Sequence, residues 1–167
     1  MNKNILVCVL SLVSASAVAN EVESINKSGL GIRVGYSLVS GDISELEDTG
    51  GMTFAMDYTF ENGVIVGVNY VPTLAEEKHS TIGIESSMIG VYGGYQFDSG
   101  LKLTGGLAQT RTDAYVFEYS GSQDDMHPMF GVGYQMTSSL SVDAQFTFLD
   151  VADVEGINTT LLVGYKF

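Results

Sequence analysis

The feature that most restricts what this chain can fold into is a strict alternation of its apolar residues, which is clearest over residues 157–167. There one row of alternate residues is apolar and ends in two aromatics, Tyr165 and Phe167, while the other row is mostly small or polar. A period of two indicates a β-strand whose two faces meet different surroundings. The length also suits one tilted crossing of a membrane, which takes about 9–11 residues in a strand.

The same alternation recurs through the chain and predicts eight strands. They span about residues 29–39, 52–60, 64–71, 82–97, 101–108, 128–136, 140–148 and 157–167. Tight turns are predicted at 61–63, 98–100 and 137–139, and the first contains Asn-Gly, the strongest short hairpin signal. The longer, acidic connections are predicted to be loops, at about 41–51, 73–81, 112–127 and 150–156. The predicted fold is therefore all-β, an eight-stranded antiparallel up-and-down β-barrel.

The composition of the second row decides whether such a barrel is soluble or embedded in a membrane. A soluble barrel would turn this row to water, where many charged residues are expected. Here the row consists mostly of Gly, Ser, Thr, Asn and Gln, which suits an interior just wide enough for side chains to fill. The apolar row carries no charge at membrane depth, where a lysine or arginine facing lipid would cost about 2–4 kcal/mol. The pattern therefore favours a transmembrane barrel.

Three features of the chain belong together: the predicted strand number, the alternation of tight turns with longer loops, and the aromatic pair Tyr165 and Phe167. In these features the chain resembles the small bacterial outer-membrane barrels, the OmpA- and OmpX-like transmembrane domains. The resemblance covers residues 29–167 and brings no catalytic residue. It implies insertion into a Gram-negative outer membrane by the barrel-assembly machinery, with the aromatic pair as the assembly signal. It also implies periplasmic tight turns and extracellular loops.

Residues 1–19 have the pattern of a secretory signal peptide. Lys3 provides a positive start, residues 5–13 are apolar but too few to span a bilayer as a helix, and residues 17–19 form an Ala-Val-Ala cleavage site. We therefore expect export from the cytoplasm and cleavage after Ala19.

Cleavage there would leave one barrel domain behind a short lead-in. The predicted segments are a signal peptide at 1–19, a periplasmic lead-in at 20–28 and the barrel domain at 29–167. Cleavage removes Cys8, the only cysteine, and so excludes disulfides, thiolate–metal sites and cysteine nucleophiles. It removes one of the seven basic residues and none of the twenty acidic ones. Nucleic acid is not expected as a partner, because its recognition requires a basic stripe.

All four predicted loops are acidic, so their field should repel anions and anionic polymers. Lipopolysaccharide is itself anionic, and divalent cations could bridge it to the loops. Arg111 has lipid-facing parity just above the apolar band. It is the candidate for a contact with a lipopolysaccharide phosphate, and an ordinary interfacial arginine is the alternative.

Charged and amide side chains on the inward row are predicted to form a polar cluster inside the barrel. Its members are Arg33, Asp57, Asp143, Lys102, Lys166, Gln96, Gln135 and Gln145. A buried charge is costly unless it is paired, so we expect Arg33 to be neutralised by one or both of the aspartates. Two interpretations remain open, a solid polar core and an ion or proton path with a charged gate.

The longest predicted loop carries the candidate loop-binding residues, Asp113, Glu118, Asp124, Asp125 and His127. Acids beside a histidine are similar to the site pairs of outer-membrane proteases, but those barrels are larger and the second pair is missing here; catalysis would need positioned partners. Calcium binding is another interpretation, although the spacing matches no calcium loop. A solvated acidic loop is the third.

These patterns favour an integral outer-membrane protein with a structural or surface-interaction role, exercised through acidic extracellular loops. We expect a monomer that needs no cofactor, contacts outer-membrane lipid and lipopolysaccharide, and binds an unknown surface ligand. A narrow channel or porin for small solutes or ions is the alternative, which conductance in planar bilayers would distinguish. An outer-membrane enzyme is the weaker alternative, and its turnover would depend on the loop aspartates or histidine.

Overall fold

A computed structural model describes residues 28–41, 48–79, 82–116, 119–151 and 154–167, and over these ranges the chain forms nine β-strands. The strands are β1 (Gly29–Gly41), β2 (Asp48–Thr49), β3 (Gly51–Thr59), β4 (Val64–His79), β5 (Ile82–Gln96), β6 (Leu101–Val116), β7 (Tyr119–Gln135), β8 (Leu140–Val151) and β9 (Val154–Lys166). None of the described residues belongs to a helix long and apolar enough to cross a membrane.

The strands close into a barrel. Consecutive strands from β3 to β9 pair antiparallel, β1 pairs with β3, and β1 also pairs with β9, which places Val34 opposite Val163. β2 pairs with β4 in the same register as β3. Only Gly50 separates β2 from β3, and its φ of 104° lies in the left-handed region that glycine adopts readily. β2 and β3 therefore form one interrupted strand, and the predicted eight-stranded up-and-down barrel is confirmed.

The three tight turns occupy the residues that the sequence predicts. In the first two, the N–H groups of Phe60 and Phe97 donate to the carbonyls of Val64 and Leu101 at 2.8 Å. We call the end of the barrel that carries these turns the turn end, and the opposite end the loop end.

Side chains alternate between the lumen and the outside as the sequence predicts. The outward row is apolar and exposed along the wall, with Val34, Phe54 and Leu107 about half exposed, whereas inward residues such as Thr53 and Lys102 are buried. Edge-to-face ring pairs, with centroids 5.0–5.1 Å apart, lie outside at the turn end and form a girdle of the kind found at membrane interfaces. The pairs are Tyr58–Phe60, Tyr95–Phe97 and Tyr165–Phe167.

The strands continue past their predicted ends at the loop end, which corrects the loop predictions. β4 runs to His79 and β5 begins at Ile82, while β6 runs to Val116 and β7 begins at Tyr119. The predicted loops at 73–81, 112–127 and 150–156 are therefore mostly strand, and residues 42–47 of the first predicted loop lie outside the described residues. The prediction was wrong because an apolar alternation stops where the wall leaves the membrane, whereas backbone pairing continues beyond it.

Pro72 and Pro128 lie inside β4 and β7 rather than at strand borders. The register between β4 and β5 shifts beside Pro72. The ladder between β7 and β8 ends at Met129 and Thr147, directly beside Pro128. At Pro128 the missing N–H of proline removes a ladder hydrogen bond to β8, and the position of Pro72 beside a register shift is one where proline is tolerated in a sheet.

Candidate functional site

An arginine and two aspartates meet in the lumen toward the turn end. Nη2 of Arg33 forms an ion pair with Oδ2 of Asp57, and Nε lies 3.1 Å from Oδ2 of Asp143, without the alignment of a hydrogen bond. Nη1 donates to the Tyr92 hydroxyl at 3.2 Å, and that hydroxyl donates to Asp57 at 3.3 Å. All four side chains are buried. The guanidinium thus has both of the counter-charges that its burial requires.

Inward glycines make room for this network. Because β9 lies between β1 and β8, the Arg33 side chain must cross the inner surface of β9 to reach Asp143. It crosses at Gly164, which pairs with Arg33, and a Cβ there would lie 2.5 Å from Arg33 Cγ. Similarly, a Cβ on Gly67 would lie 2.5 Å from Cζ of Tyr92. The alternation marks these glycines only as small residues, but a glycine opposite a long charged residue is the signal that could have located the crossing.

Two lysines extend the cluster toward the turn end. Lys102 is buried, with Nζ 3.6 Å from Oδ1 of Asp143. Lys166, near the end of β9, is 7% exposed. Ser141 donates from Oγ to Oδ2 of Asp143 at 3.2 Å. The Asp143 carboxylate therefore contacts the side chains of Arg33, Lys102 and Ser141. The predicted charged residues thus lie together in one part of the lumen.

The three predicted glutamines occupy three different environments. Gln145 accepts at Oε1 from Asn69 Nδ2 at 2.7 Å, across the lumen. Gln135 donates from Nε2 to the carbonyls of Thr137 and Leu140 at 2.9 and 3.3 Å, which fixes the third tight turn. Gln96 is fully buried, and neither polar atom of its side chain has a hydrogen-bond partner among the described residues.

An apolar layer lies inside the lumen on the loop-end side of the charged residues. Val39 follows Arg33 along β1, and Leu149 follows Asp143 along β8, both toward the loop end. The layer consists of Val39, Val71, Leu74, Met88, Ala108 and Leu149, all inward-facing and buried. Sequence reasoning missed it because its members are scattered through rows read as polar and because Leu74 and Leu149 lie at or beyond predicted strand ends.

The lumen is therefore filled by two unlike layers in series. Ions crossing it would have to separate the Arg33 ion pairs and then pass a level of mostly apolar side chains, in which Asn158 and His127 are the buried polar neighbours of Val39 and Ala108. Eight strands enclose little more than their own side chains. This arrangement corresponds to the solid-core interpretation of the interior.

His127 lies on a strand and not in a loop. This corrects the prediction that it is a loop residue available to bind a ligand. It lies on β7, points inward and is 2% exposed. Its Nε2 is 2.8 Å from Oγ1 of Thr110 on β6. The side chain is thus part of the interior packing and is not presented at the mouth of the barrel.

The other predicted loop residues lie on the rim that β6 and β7 form at the loop end, and Glu118 lies outside the described residues. Asp124 is exposed, and both carboxylate oxygens of Asp125 accept from Gln123 Nε2, at 3.3 and 3.0 Å. Arg111 Nε lies 3.5 Å from Asp113 Oδ1, and both side chains are more than half exposed. The structure thus brings the aspartates and Arg111 onto one hairpin, with Arg111 directly opposite Asp124.

No group of three or more His, Cys, Asp or Glu within the described ranges is arranged to hold a metal ion. The calcium interpretation of the rim thus receives no support from these ranges.

The predicted assembly residues lie at the seam that closes the barrel. Phe167 N–H donates to the carbonyl of Leu30 on β1 at 2.9 Å. Its ring packs against Tyr165 with the centroids 5.0 Å apart. Both rings are outward and exposed, so they belong to the turn-end girdle as well as to the seam.

Comparison with known proteins adds independent findings. A family model described as "Outer membrane protein beta-barrel domain" matches residues 5–167. The structure is similar to Ail, the attachment invasion locus protein of Yersinia pestis, solved with the heparin analogue sucrose octasulfate, at 20% identity and a TM-score of 0.64 over 84% of this chain and 99% of that one. It is also similar to the N-terminal β-barrel domain of Pseudomonas aeruginosa OprF, at 15% identity and a TM-score of 0.54 over 84% and 99%.

A third similar structure is OprG of the same organism, at 12% identity and a TM-score of 0.53 over 88% of this chain and 99% of that one. A search of curated proteins finds no significant match. At these identities the structural likenesses concern the fold alone.

Proposed function

The chain belongs to the outer membrane protein β-barrel domain family and is an integral β-barrel of the bacterial outer membrane, and on this premise we propose that it is a structural and surface-interaction protein that acts through its acidic rim. The rim comprises the β6–β7 hairpin beyond the membrane, with Asp113, Asp124 and Asp125 against a single arginine among its described charged side chains. The loop end faces outward and the tight turns face the periplasm.

The filled lumen is the observation that carries this proposal. Ion pairs around Arg33 fill the lumen toward the turn end, and apolar side chains packed beside buried Asn158 and His127 fill it toward the loop end. A barrel that is closed inside can act on its surroundings only through its outer surface. Its strands extend beyond the apolar band at the loop end, so that end offers the larger water-exposed surface.

The charge of the rim favours a cationic partner. Ail is known in complex with a heparin analogue, a sulfated anion. This rim would repel such a ligand, since its described carboxylates outnumber its cations. We therefore infer that the surface ligand presents lysine or arginine side chains.

Lipopolysaccharide is a second partner that we infer for the rim. Arg111 faces outward, but Asp113 lies beside it and Asp124 lies opposite, so most of its charge is compensated locally. Contact with lipid phosphates would then depend on divalent cations that bridge phosphate and rim carboxylates, with Arg111 contributing less.

Binding of labelled polylysine and heparin to the refolded protein in neutral-lipid nanodiscs tests the proposal. Polylysine should bind and heparin should not. A variant with Asp113→Asn, Asp124→Asn and Asp125→Asn should lose most of the polylysine binding. Glu61→Gln with Asp98→Asn, which removes acidic charge at the turn end, should leave binding nearly unchanged. Equal loss in both variants, or tight heparin binding, would show that the acidic rim is not the binding surface.

A further inference from the structure

Two buried side chains at the turn end of the lumen lack the hydrogen bonds that burial requires. Gln96, at the end of β5, is 0% exposed, and neither its Nε2 nor its Oε1 has a hydrogen-bond partner among the described residues. Lys102, near the start of β6, is 2% exposed, and the contact that its Nζ makes within the described chain is the ion pair with Asp143 at 3.6 Å. An ammonium group has three donors, and an amide has two donors and an acceptor. Most of these groups are therefore unsatisfied by the described part of the chain.

The pairing of β5 with β6 places these two side chains next to each other. Gln96 lies directly opposite Lys102 in the ladder. The N–H of Gln96 donates to the carbonyl of Gly63, on the side away from β6, so Gln96 and Lys102 form a non-hydrogen-bonded pair. The Cα atoms of such a pair lie about 4.5 Å apart, and their side chains approach closely. The amide and the ammonium group therefore lie side by side inside the barrel.

The described charges around this pair favour an anion over a neutral molecule. The inward-facing charges at this end are the cations Arg33, Lys102 and Lys166 and the carboxylates Asp57 and Asp143. The carboxylate that contacts Lys102 also contacts Arg33, at 3.1 Å, so the two cations share one counter-charge. Buried charge is stabilised by a counter-charge within hydrogen-bond reach. A small anion beside Lys102 would supply it.

The Gln96 amide restricts which anion fits. Its Nε2 donates and its Oε1 accepts, so an ion that only accepts hydrogen bonds, such as chloride or sulfate, would leave Oε1 buried and unpaired. Phosphate keeps at least one O–H at neutral pH. It can donate this O–H to Oε1 of Gln96 while its other oxygens accept from Nε2 and from Nζ of Lys102. A phosphorylated organic molecule fits less well, because an eight-stranded lumen has little room beyond its own side chains.

We propose that Gln96 and Lys102 form a binding site for one inorganic phosphate ion inside the turn end of the lumen. Lys102 supplies the positive charge, and Gln96 recognises the protonated oxygen. The ion enters from the turn end, where exposure increases to 7% at Lys166, because the Arg33 ion pairs and the apolar side chains close the other direction. The site lies at the opposite end of the barrel from the acidic rim, so the inference does not depend on the proposed function.

Equilibrium dialysis of radiolabelled phosphate against the refolded protein in neutral-lipid nanodiscs tests the proposal. Binding should saturate at one ion per chain. Unlabelled phosphate should displace the label, and sulfate at the same ionic strength should compete about tenfold more weakly, since the buried Oε1 of Gln96 would lose its hydrogen bond.

Three methionine variants separate the two roles. Lys102→Met should weaken phosphate binding at least about tenfold, because it removes the charge that contacts the ion. Gln96→Met should make phosphate and sulfate compete equally. Lys78→Met, on β4 at the loop end, is the matched control and should change neither result. Folding is checked by heat-modifiable migration on gels, and the comparison of phosphate with sulfate tests the proposal on the unchanged protein.

Each outcome decides for or against the site. Saturable binding that favours phosphate and depends on Lys102 supports it. If no ion binds saturably, water satisfies the pair and the proposal is wrong. Equal competition by sulfate in the unchanged protein would overturn recognition of the protonated oxygen. Equal losses from Lys102→Met and Lys78→Met would show general attraction of anions to positive charge and would overturn the proposal as well.

Discussion

At the scale of single residues, Arg33 joins strands that are far apart along the chain. It contacts Asp57 on β3, Tyr92 on β5 and Asp143 on β8, all inside the lumen. A buried network of this kind stabilises the fold only while every member is satisfied, because removing one partner leaves an uncompensated charge. The identity of the network was predictable, since parity placed each charge inside. The glycine crossing does not follow from alternation alone, which carries no information on how far a side chain reaches; it also requires the register that pairs Arg33 with Gly164.

Replacing Arg33 by alanine should destabilise the barrel by about 3–5 kcal/mol, because it leaves two buried carboxylates without their shared counter-charge. Adding Asp57→Asn and Asp143→Asn should restore part of the loss. The measurement is urea unfolding in lipid vesicles, followed by gel migration or circular dichroism. Unchanged stability of Arg33→Ala would mean that the residue is hydrated rather than buried in a closed core.

Gly164→Ala should destabilise by about 1–3 kcal/mol, because the new methyl group overlaps the path of Arg33 across β9. The control is Gly93→Ala on the lipid-facing side, where the nearest atom to an added Cβ is 3.6 Å away. That change should have little effect in the same unfolding measurement. Similar losses at both positions would indicate a general penalty for alanine in these strands and not an interior crossing.

At the scale of elements, the tight turns and the membrane-spanning parts of the strands were predictable, and the strand ends beyond the membrane were not. Asn62-Gly63 specifies its hairpin through local backbone preferences, and lipid imposes alternation on the wall. Where β6 and β7 leave the membrane, the outward face meets water and the inward face carries polar residues such as Thr110 and His127, so the apolar signal ends at about Leu107. His127 was therefore read as a loop residue, although its strand continues through backbone pairing with β6 and a side-chain contact with Thr110.

β9 closes the barrel, and its terminal aromatics can be tested as an assembly signal. Phe167→Ala should lower the amount of protein in the outer membrane severalfold and increase periplasmic degradation. Phe97→Ala is the control, because Phe97 packs on Tyr95 at 5.1 Å just as Phe167 packs on Tyr165 at 5.0 Å. Quantitative blotting of membrane fractions gives the readout. Equal losses would assign both rings to the girdle and remove the special role of Phe167.

At the scale of the whole molecule, the two ends of the barrel should lie on opposite sides of the membrane. Ser122→Cys on the rim and Ser99→Cys in a tight turn introduce matched exposed thiols, and the natural Cys8 lies in the predicted signal peptide. In intact cells a membrane-impermeant maleimide should label position 122 and not position 99. Labelling of position 99 alone would reverse the orientation and place the acidic rim in the periplasm.

The two filled layers also predict that the whole molecule does not conduct. Arg33 is held by Asp57 and Asp143, and the apolar side chains beyond it leave a dehydrated ion few polar groups to bind. Single-channel recordings of the unchanged protein in planar bilayers should therefore show no steady open state.

Two sets of variants test which layer blocks conduction. The double variant Leu149→Ser with Val39→Ser makes the apolar layer polar and should still give no stable conductance, because the ion-pair layer remains. Adding Arg33→Ala to that variant opens both layers and should produce the first measurable currents. A stable conductance in the unchanged protein would instead establish the channel alternative, and a triple variant that stays silent would show that other side chains are enough to fill an eight-stranded lumen.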